Sequence, residues 1–476
     1  MVKSKSGFAI IEVIVAVGIF VVVAVSAVTA ILQIFSINRL GDNESDATLY
    51  AQEGIEAARS IKNQSWSLLT NGNHGATSGG GTWAFSGSSD TKGSYTRQIS
   101  VADVYRDIPT NNPVLSGCAN VLDLNAKKIT STVSWNFTIA RANTVSFETY
   151  YTNWKKTAVG NWASPSQESS VDLAGNDNGD KIQVQGHYAY LTRNTGSPNF
   201  AIFDISTSTP SLTSSLTLSG NPTNIYVWGR YAYITNEADA TELQIIDVCT
   251  PSTPSSVGTF DAAGAANANG VFVIGNYAYL VRDSSADDEF IVTDISTPSA
   301  PSLTGSLDLG ADANEIVVLG SNAFVASSSN TQELQVVGVS TPASPSLVGS
   351  LDITGGSDAT SISGFDLAII ISRQGGELDT ISVSTPSAPT LSGTYLAGAN
   401  INDIALGNAN NYVFLGTNNA SSEFQIVTIG TFSTPALFGS FDYTNNINGV
   451  AYSAFNDRAY GATEANAQEL AGFKPL

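Results

Sequence analysis

The chain opens on an apolar run. Residues 8–37 carry one charge, Glu12, in thirty positions, enough to cross a bilayer as a helix. Over 46–61 the pattern changes: DATLYAQEGIEAARSI has apolar residues at 47, 51, 55 and 58, the spacing of one helical face. A single long helix over 8–66 is therefore expected, apolar all round in its first half and amphipathic in its second. Gly41 and Gly54 are its weak positions. Residues 67–81, SLLTNGNHGATSGGG, are expected as loop from their Gly, Asn and Ser content. Strand-like runs follow at 82–85, 95–105, 129–139 and 144–151, with clear alternation in TVSWNF. A small antiparallel head over 67–160 is the expectation.

From 161 to 476 the pattern repeats. IQVQGHYAYLT from 182 recurs as IYVWGRYAYIT from 225, VFVIGNYAYLV from 271 and IVVLGSNAFVA from 316, then in weaker form from 362, 404 and 450. Glycines at 186, 229, 275, 320, 364 and 407 anchor the repeat. Each unit adds a second strand pair, as in ELQIIDVCTPSTPSSVGTF. Four short strands in about 40–50 residues is the size of a propeller blade, and seven starts predict seven blades. The last unit runs out after three strands. The stretch Ser169-Ser170-Val171-Asp172-Leu173, upstream of the first repeat, supplies the fourth and closes the ring, leaving no open edge. The fold class is thus mainly β: a long N-terminal helix, a small antiparallel head, and a seven-bladed propeller closed by an N-terminal strand.

Charge sharpens this division. The formal net charge is −21; residues 1–161 hold 13 Lys+Arg against 11 Asp+Glu, and 162–476 hold 7 against 30. An acidic propeller repels nucleic acid phosphates, so no nucleic-acid partner is expected. The two cysteines, Cys118 and Cys249, have no metal-ligand spacing. A bridge between them suits an oxidising compartment, although two separate thiols are the expectation. With two histidines, His74 and His187, zinc or Ser-His-Asp chemistry is poorly supplied. Lys3 and Lys5 before the apolar run place the N-terminus in the cytoplasm and the bulk of the chain outside.

Gly7-Phe8-Ala9-Ile10-Ile11-Glu12 resembles the processing motif of type IV prepilins and type II secretion pseudopilins. The resemblance implies a leader at 1–7, cut by a prepilin peptidase between Gly7 and Phe8, and methylation of the new Phe8 amine. It also implies an inner-membrane helix that later becomes filament core (8–37), a pilin-type helix to 66, and a head over 67–160. Glu12 becomes the fifth mature residue. In an apolar bundle its carboxylate is tolerable beside a neighbour's N-terminal amine, and the pair sets axial register. The Ser-Thr-Pro turns of the propeller are similar to the LVIVD repeat family. In that family an Asp commonly precedes the turn, matched here by Asp204, Asp247 and Asp294, with Gly338, Ser382 and Ile429 near that place in later blades.

Candidate sites are sparse. Asn224, Asn269, Asn314, Asp403 and Asn448 recur beside the inter-blade loops and are expected on one face near the central channel, where propellers bind ligands. Glu242, Glu289, Glu333, Glu377, Glu423 and Glu469 recur at the start of the third strand and are read as solvent-facing hairpin residues. The acidic loop 283–289 lacks the EF-hand spacing, so no cofactor or metal is expected; calcium is the one ion the loop leaves open. The function these features predict is non-enzymatic: a pilin-like minor or tip subunit displaying its propeller for adhesion or partner binding on the cell surface. Its partners would be other pilins, the prepilin peptidase, the inner membrane and an unknown surface ligand. The alternatives are a membrane-anchored ectodomain scaffolding an envelope complex and a surface enzyme with a site on the channel face.

Overall fold

The computed structural model describes residues 10–107, 113–114, 120–138, 141–153, 160–175, 177–407 and 411–476. Gly7 and Phe8, Cys118 and the expected head boundary at 154–159 lie outside them. The chain divides into two compact units: residues 1–104 with 123–156, and residues 105–122 with 157–476.

In the first unit one helix, α1 (Ile10–Gln64), runs unbroken through both Gly41 and Gly54. Its segment Ile10–Ile34, with a mean hydropathy of 2.8, is long and apolar enough to cross a membrane and is not buried within the chain. Its second half seats Ala47, Tyr50, Ala51, Ala57, Ala58 and Ile61 against an antiparallel sheet. These positions recur at i, i+3, i+4 and i+7, so one stripe is apolar. Gly54 is the close-approach point. A Cβ there would lie 2.2 Å from Ser131 Oγ, so the residue that weakens the helix locally is what lets the sheet pack on it.

The sheet runs in the order 82–86, 72–79, 95–107, 120–138, 141–152, with 90–92 also paired to 95–107. The segment expected as loop is thus partly strand, with Gly75 opposite Ser86 and Gly79 opposite Thr82. Its small residues do not exclude pairing here, because the neighbouring backbone comes too close for a larger one: a Cβ at Gly75 would sit 2.5 Å from Ser89. Arg97, 1% exposed, holds Asp90 at 2.7 Å and stacks over the Tyr50 ring at 4.2 Å, which neutralises its buried charge.

The second unit is a seven-bladed propeller of four-stranded antiparallel sheets. The innermost strands are 179–185, 222–228, 268–274, 313–319, 359–365, 401–406 and 447–453. The second and third strands of each blade are buried on both faces, so the core lies between blades. One cluster, for example, joins Tyr279, Val281, Phe290 and Val292 of blade three to Ile316, Val318, Val325 and Val337 of blade four. The first hairpin turns on glycine in the left-handed region at 186, 229, 275 and 320. In blade five that place is held by Asp366, φ 49°, not by Gly364, which lies within the strand. Aspartate tolerates this conformation, and the repeat pattern misaligned by two residues there.

The ring closes as the repeat count predicts. Ser166–Val171 pairs antiparallel with Leu470–Lys474, with Leu470 opposite Val171 and Lys474 opposite Ser166. The turn before it is donated as well. In blades three to six a Ser-Thr-Pro turn presses a carbonyl onto a glycine in the outer strand of the preceding blade; a Cβ at Gly305 would lie 2.4 Å from Pro342 O. At Gly439 the pressing carbonyl is that of Trp162. Residues 163–166 read Ala-Ser-Pro-Ser, as do residues 343–346, so the displaced half of the seventh repeat begins before its strand.

Trp162 is fully buried against Phe414, Phe424 and Tyr452. Asp457 fixes this junction by accepting from Gly160 N at 2.7 Å, Trp162 Nε1 at 3.1 Å and Tyr452 OH at 2.8 Å. Arg458 clamps Glu168 on the closing strand and draws its carboxyl below the usual range.

Cys249, in the turn of blade two, is disulfide-bonded, which corrects the expectation of a separate thiol there. Disulfides persist in oxidising compartments, so this bond bears on where the chain folds. Protein purified without reductant should leave Cys249 unlabelled by maleimide in denaturant until a reductant is added; labelling before reduction would contradict the bond. Trp162→Ala should destabilise the propeller by about 3–5 kcal/mol, as for other large aromatic truncations, read as a lower denaturation midpoint.

Candidate functional site

The innermost strand of each blade has one edge paired and one facing the channel, so its outward polar groups need partners that the sheet does not provide. Side chains supply several of them. Glu315 Oε2 accepts from Ile362 N at 2.9 Å, one blade on, and Asp403 Oδ2 accepts from Val450 N at 2.8 Å, again one blade on. Gln183 accepts from Val227 N in the same way, and Asn224 Oδ1 accepts from Ile225 N at 2.7 Å.

These residues enclose a cavity of about 290 Å³ that touches all seven innermost strands. Asn224 Nδ2 donates to Glu315 Oε1 across it at 3.3 Å, and Ser361 Oγ donates to Asp403 Oδ1 at 3.3 Å. Lys181 Nζ stands 3.7 Å from Asp403. Burial, then the nearby Asp403, pushes the Glu315 carboxyl up, with Lys181 opposing. Burial pulls the Lys181 ammonium down, but Asp403, Glu315 and Asp180 more than reverse this, and its pKa lies above the usual lysine value.

The five asparagine and aspartate candidates fall into two positions within the innermost strands. Asn224 and Asp403 line the cavity. Asn269, Asn314 and Asn448 sit one position earlier and bind blade to blade. Their side-chain amides donate to Ala313 O at 3.1 Å, Ala359 O at 2.6 Å and Gly179 O at 3.0 Å. Asn402 does the same to Ile447 O at 2.9 Å, while Thr223 and Thr360 use their hydroxyls on Ala268 O and Ile401 O. Six of seven blades therefore present a donor to the next blade. In blade one the position holds Asp180, which as a carboxylate has no proton to give. Burial raises its pKa from 3.8 to about 6, against Lys181 and with help from Asp403 and Glu237. Sequence spacing alone could not separate the two positions, because they are adjacent and Asn occurs in both.

Five of the six recurring glutamates are not solvent-facing, and the sixth, Glu377, is half-buried. Glu242, Glu289, Glu333, Glu423 and Glu469 are at most 3% exposed. Each carboxylate accepts the backbone N–H of the turn that leaves the outer strand, at Ala262, Leu309, Ile353, Tyr443 and Leu173. The Glu469 bond crosses the ring closure. Asn199 takes the role in blade one, accepting from Leu218 N at 2.7 Å. The acidic loop is similarly engaged: Asp283 accepts from Asn269 at 2.7 Å, Asp288 from Ser306, and Glu289 from Ser285 N at 3.4 Å. Asp204, Asp247 and Asp294 each accept from the N–H two residues on, at 2.8–2.9 Å, and so form the turn. Their equivalent in blade six is Thr428, opposite Tyr412, rather than Ile429. His187 packs edge-on against Phe455. Among the described residues no three His, Cys, Asp or Glu side chains are grouped so as to hold a metal ion.

Seven closed blades around a polar channel define a β-propeller protein, and five stretches of it match the LVIVD repeat. Residues 178–221, 219–262, 265–308, 310–353 and 370–397 match that repeat. Among solved structures the chain is similar to the β-propeller domain of Myceliophteria thermophila Cps50 (Swd1). The identity is 13% with a TM-score of 0.54, over 66% of this chain and 100% of that one. It is also similar to U3-55K and to the WD40 repeats of RRP9, each at 12% identity and TM-score 0.52. Both cover 67% of this chain, and 100% and 99% of their own. At such identities the likeness is one of fold. No curated protein matches the sequence.

The Asp180 position generates a pH-dependent expectation. Its folded pKa is raised, so its contribution is fully present below about pH 4 and is lost as pH rises through about 6. Asp180→Asn supplies the donor used by four other blades. It should raise Tm at pH 7.5 by about 2 °C, near 1 kcal/mol, with a smaller gain at pH 5. An equal gain at both pH values would contradict the protonation argument.

Proposed function

We propose that this chain is a pilin-like subunit of a type IV pilus or related filament, minor or at the tip, that carries its propeller as a binding head. The observation that carries the reading is α1: an apolar half, Ile10–Ile34, left exposed by the described residues, continuous with an amphipathic half packed on an antiparallel sheet. An isolated anchor needs only the first half. A helix that is rigid across both delivers a head at a fixed height from an apolar bundle. In this reading residues 1–7 are the leader, 8–66 the helix, 67–160 the head and 161–476 the cargo. Glu12 meets the methylated Phe8 amine of a neighbouring subunit, and the helix passes from inner membrane to filament. The disulfide at Cys249 supports folding outside the cytoplasm.

The propeller is read as a binding module rather than an enzyme. Its recurrent acids are engaged in backbone hydrogen bonds, and the ring of Phe455 packs edge-on against His187. Mass spectrometry of the mature protein should find an N-terminal N-methyl-phenylalanine derived from Phe8, and Glu12→Leu should abolish filament incorporation. A mature chain beginning at Met1, with Glu12→Leu without effect on localisation, would favour a permanently anchored envelope scaffold instead.

A further inference from the structure

With both of its acids ionised, the channel cavity holds more negative charge than it neutralises. Among the described residues lining it, Lys181 is the one cation, against the carboxylates of Glu315 and Asp403. Lys181 forms one long ion pair, with Asp403. Its Nζ is 3.7 Å from Asp403, beyond hydrogen-bond reach, and it donates instead to Asn402 O at 3.4 Å. The donors to Glu315 are neutral: Asn224 Nδ2 and Ile362 N. Each carboxylate oxygen accepts more than one hydrogen bond when ionised, so both acids keep acceptor capacity. The same wall carries the rings of Tyr226 and Phe272, with centroids 4.7 Å apart. Ring faces attract cations and cover aliphatic chain.

We propose that the cavity binds an alkylammonium group, its charge taken by Glu315 and Asp403 and its aliphatic chain laid along Tyr226 and Phe272. An anion would meet a net negative wall with its one lysine already facing Asp403. A hard divalent cation prefers six or more oxygens and gains nothing from the aromatic rings. About 290 Å³ suits a short amine, close to the lower bound for small-molecule sites. The ammonium could belong to a free amine or to a lysine side chain of a partner protein, since the chemistry at the wall is the same.

The inference rests on reading the channel as the propeller's binding site, and it is independent of filament assembly. Calorimetric titration of the full chain in detergent with cadaverine, and separately with Nα-acetyl-lysine methylamide, tests it. Saturable binding of at least one is expected, with cadaverine alone indicating a free amine and the lysine amide indicating a side chain. Glu315→Gln keeps a carbonyl acceptor for Ile362 N and should weaken binding about tenfold. Lys181→Gln removes the competing cation and should tighten it, an effect that a damaged fold would not produce. No heat with either probe at about 10 mM, or affinities unchanged in both variants, overturns the proposal. A chain that fails this test yet is still cut before Phe8 and enters filaments loses the amine site alone.

Discussion

A four-stranded blade cannot bury its own apolar faces; each needs a neighbour on either side. That constraint governs the second unit. Its clusters all straddle two blades, and every blade is half of two cores. A ring satisfies the requirement only when complete. The strand Ser166–Val171, the turn at Trp162 and the Glu469 bond to Leu173 N are therefore the conditions under which seven marginal sheets become one domain. The polar positions follow from the same geometry. The donors at 223, 269, 314, 360, 402 and 448 bridge seams that strand pairing does not, and the buried glutamates hold the turn that carries the chain from one blade to the next.

The channel shows how residues that look like a ligand site can first be structural. Glu315 and Asp403 are placed where they are by the unpaired N–H groups of Ile362 and Val450. That role needs an acceptor but not a charge; a glutamine or asparagine would meet it, as Gln183 does for Val227. The choice of two carboxylates opposite one lysine is thus the part of the site that strand geometry leaves unexplained.

The blade count, the donated strand and the long helix were legible because each depends on a period: about 44 residues for blades, two for strands and 3.6 for the helix. Reading failed where the period carries no information about depth. Glu242 and its equivalents sit at a hairpin, where charge normally means solvent, and only the fold shows the turn that leaves the blade's outer strand closing over them. Gly72–Gly79 was lost to composition, because small residues signal loops unless a second backbone lies close enough to require them. The turn donated with the closing strand was in view: Ala163-Ser-Pro-Ser166 repeats Ala343-Ser-Pro-Ser346.

The chain crosses between the two units at 104/105, 122/123 and 156/157, and the last crossing leads directly into the closing strand. Tension carried along the chain over the last of these crossings reaches the other six blades through that strand. Load arriving from residue 157 meets Trp162 in its aromatic cluster first, and then the ladder that strand 166–171 forms with the antiparallel 470–474. Trp162 and the Arg458–Glu168 pair stand at the head of that ladder, where an anchor resists being drawn out. The same junction that completes the ring is its mechanical fuse.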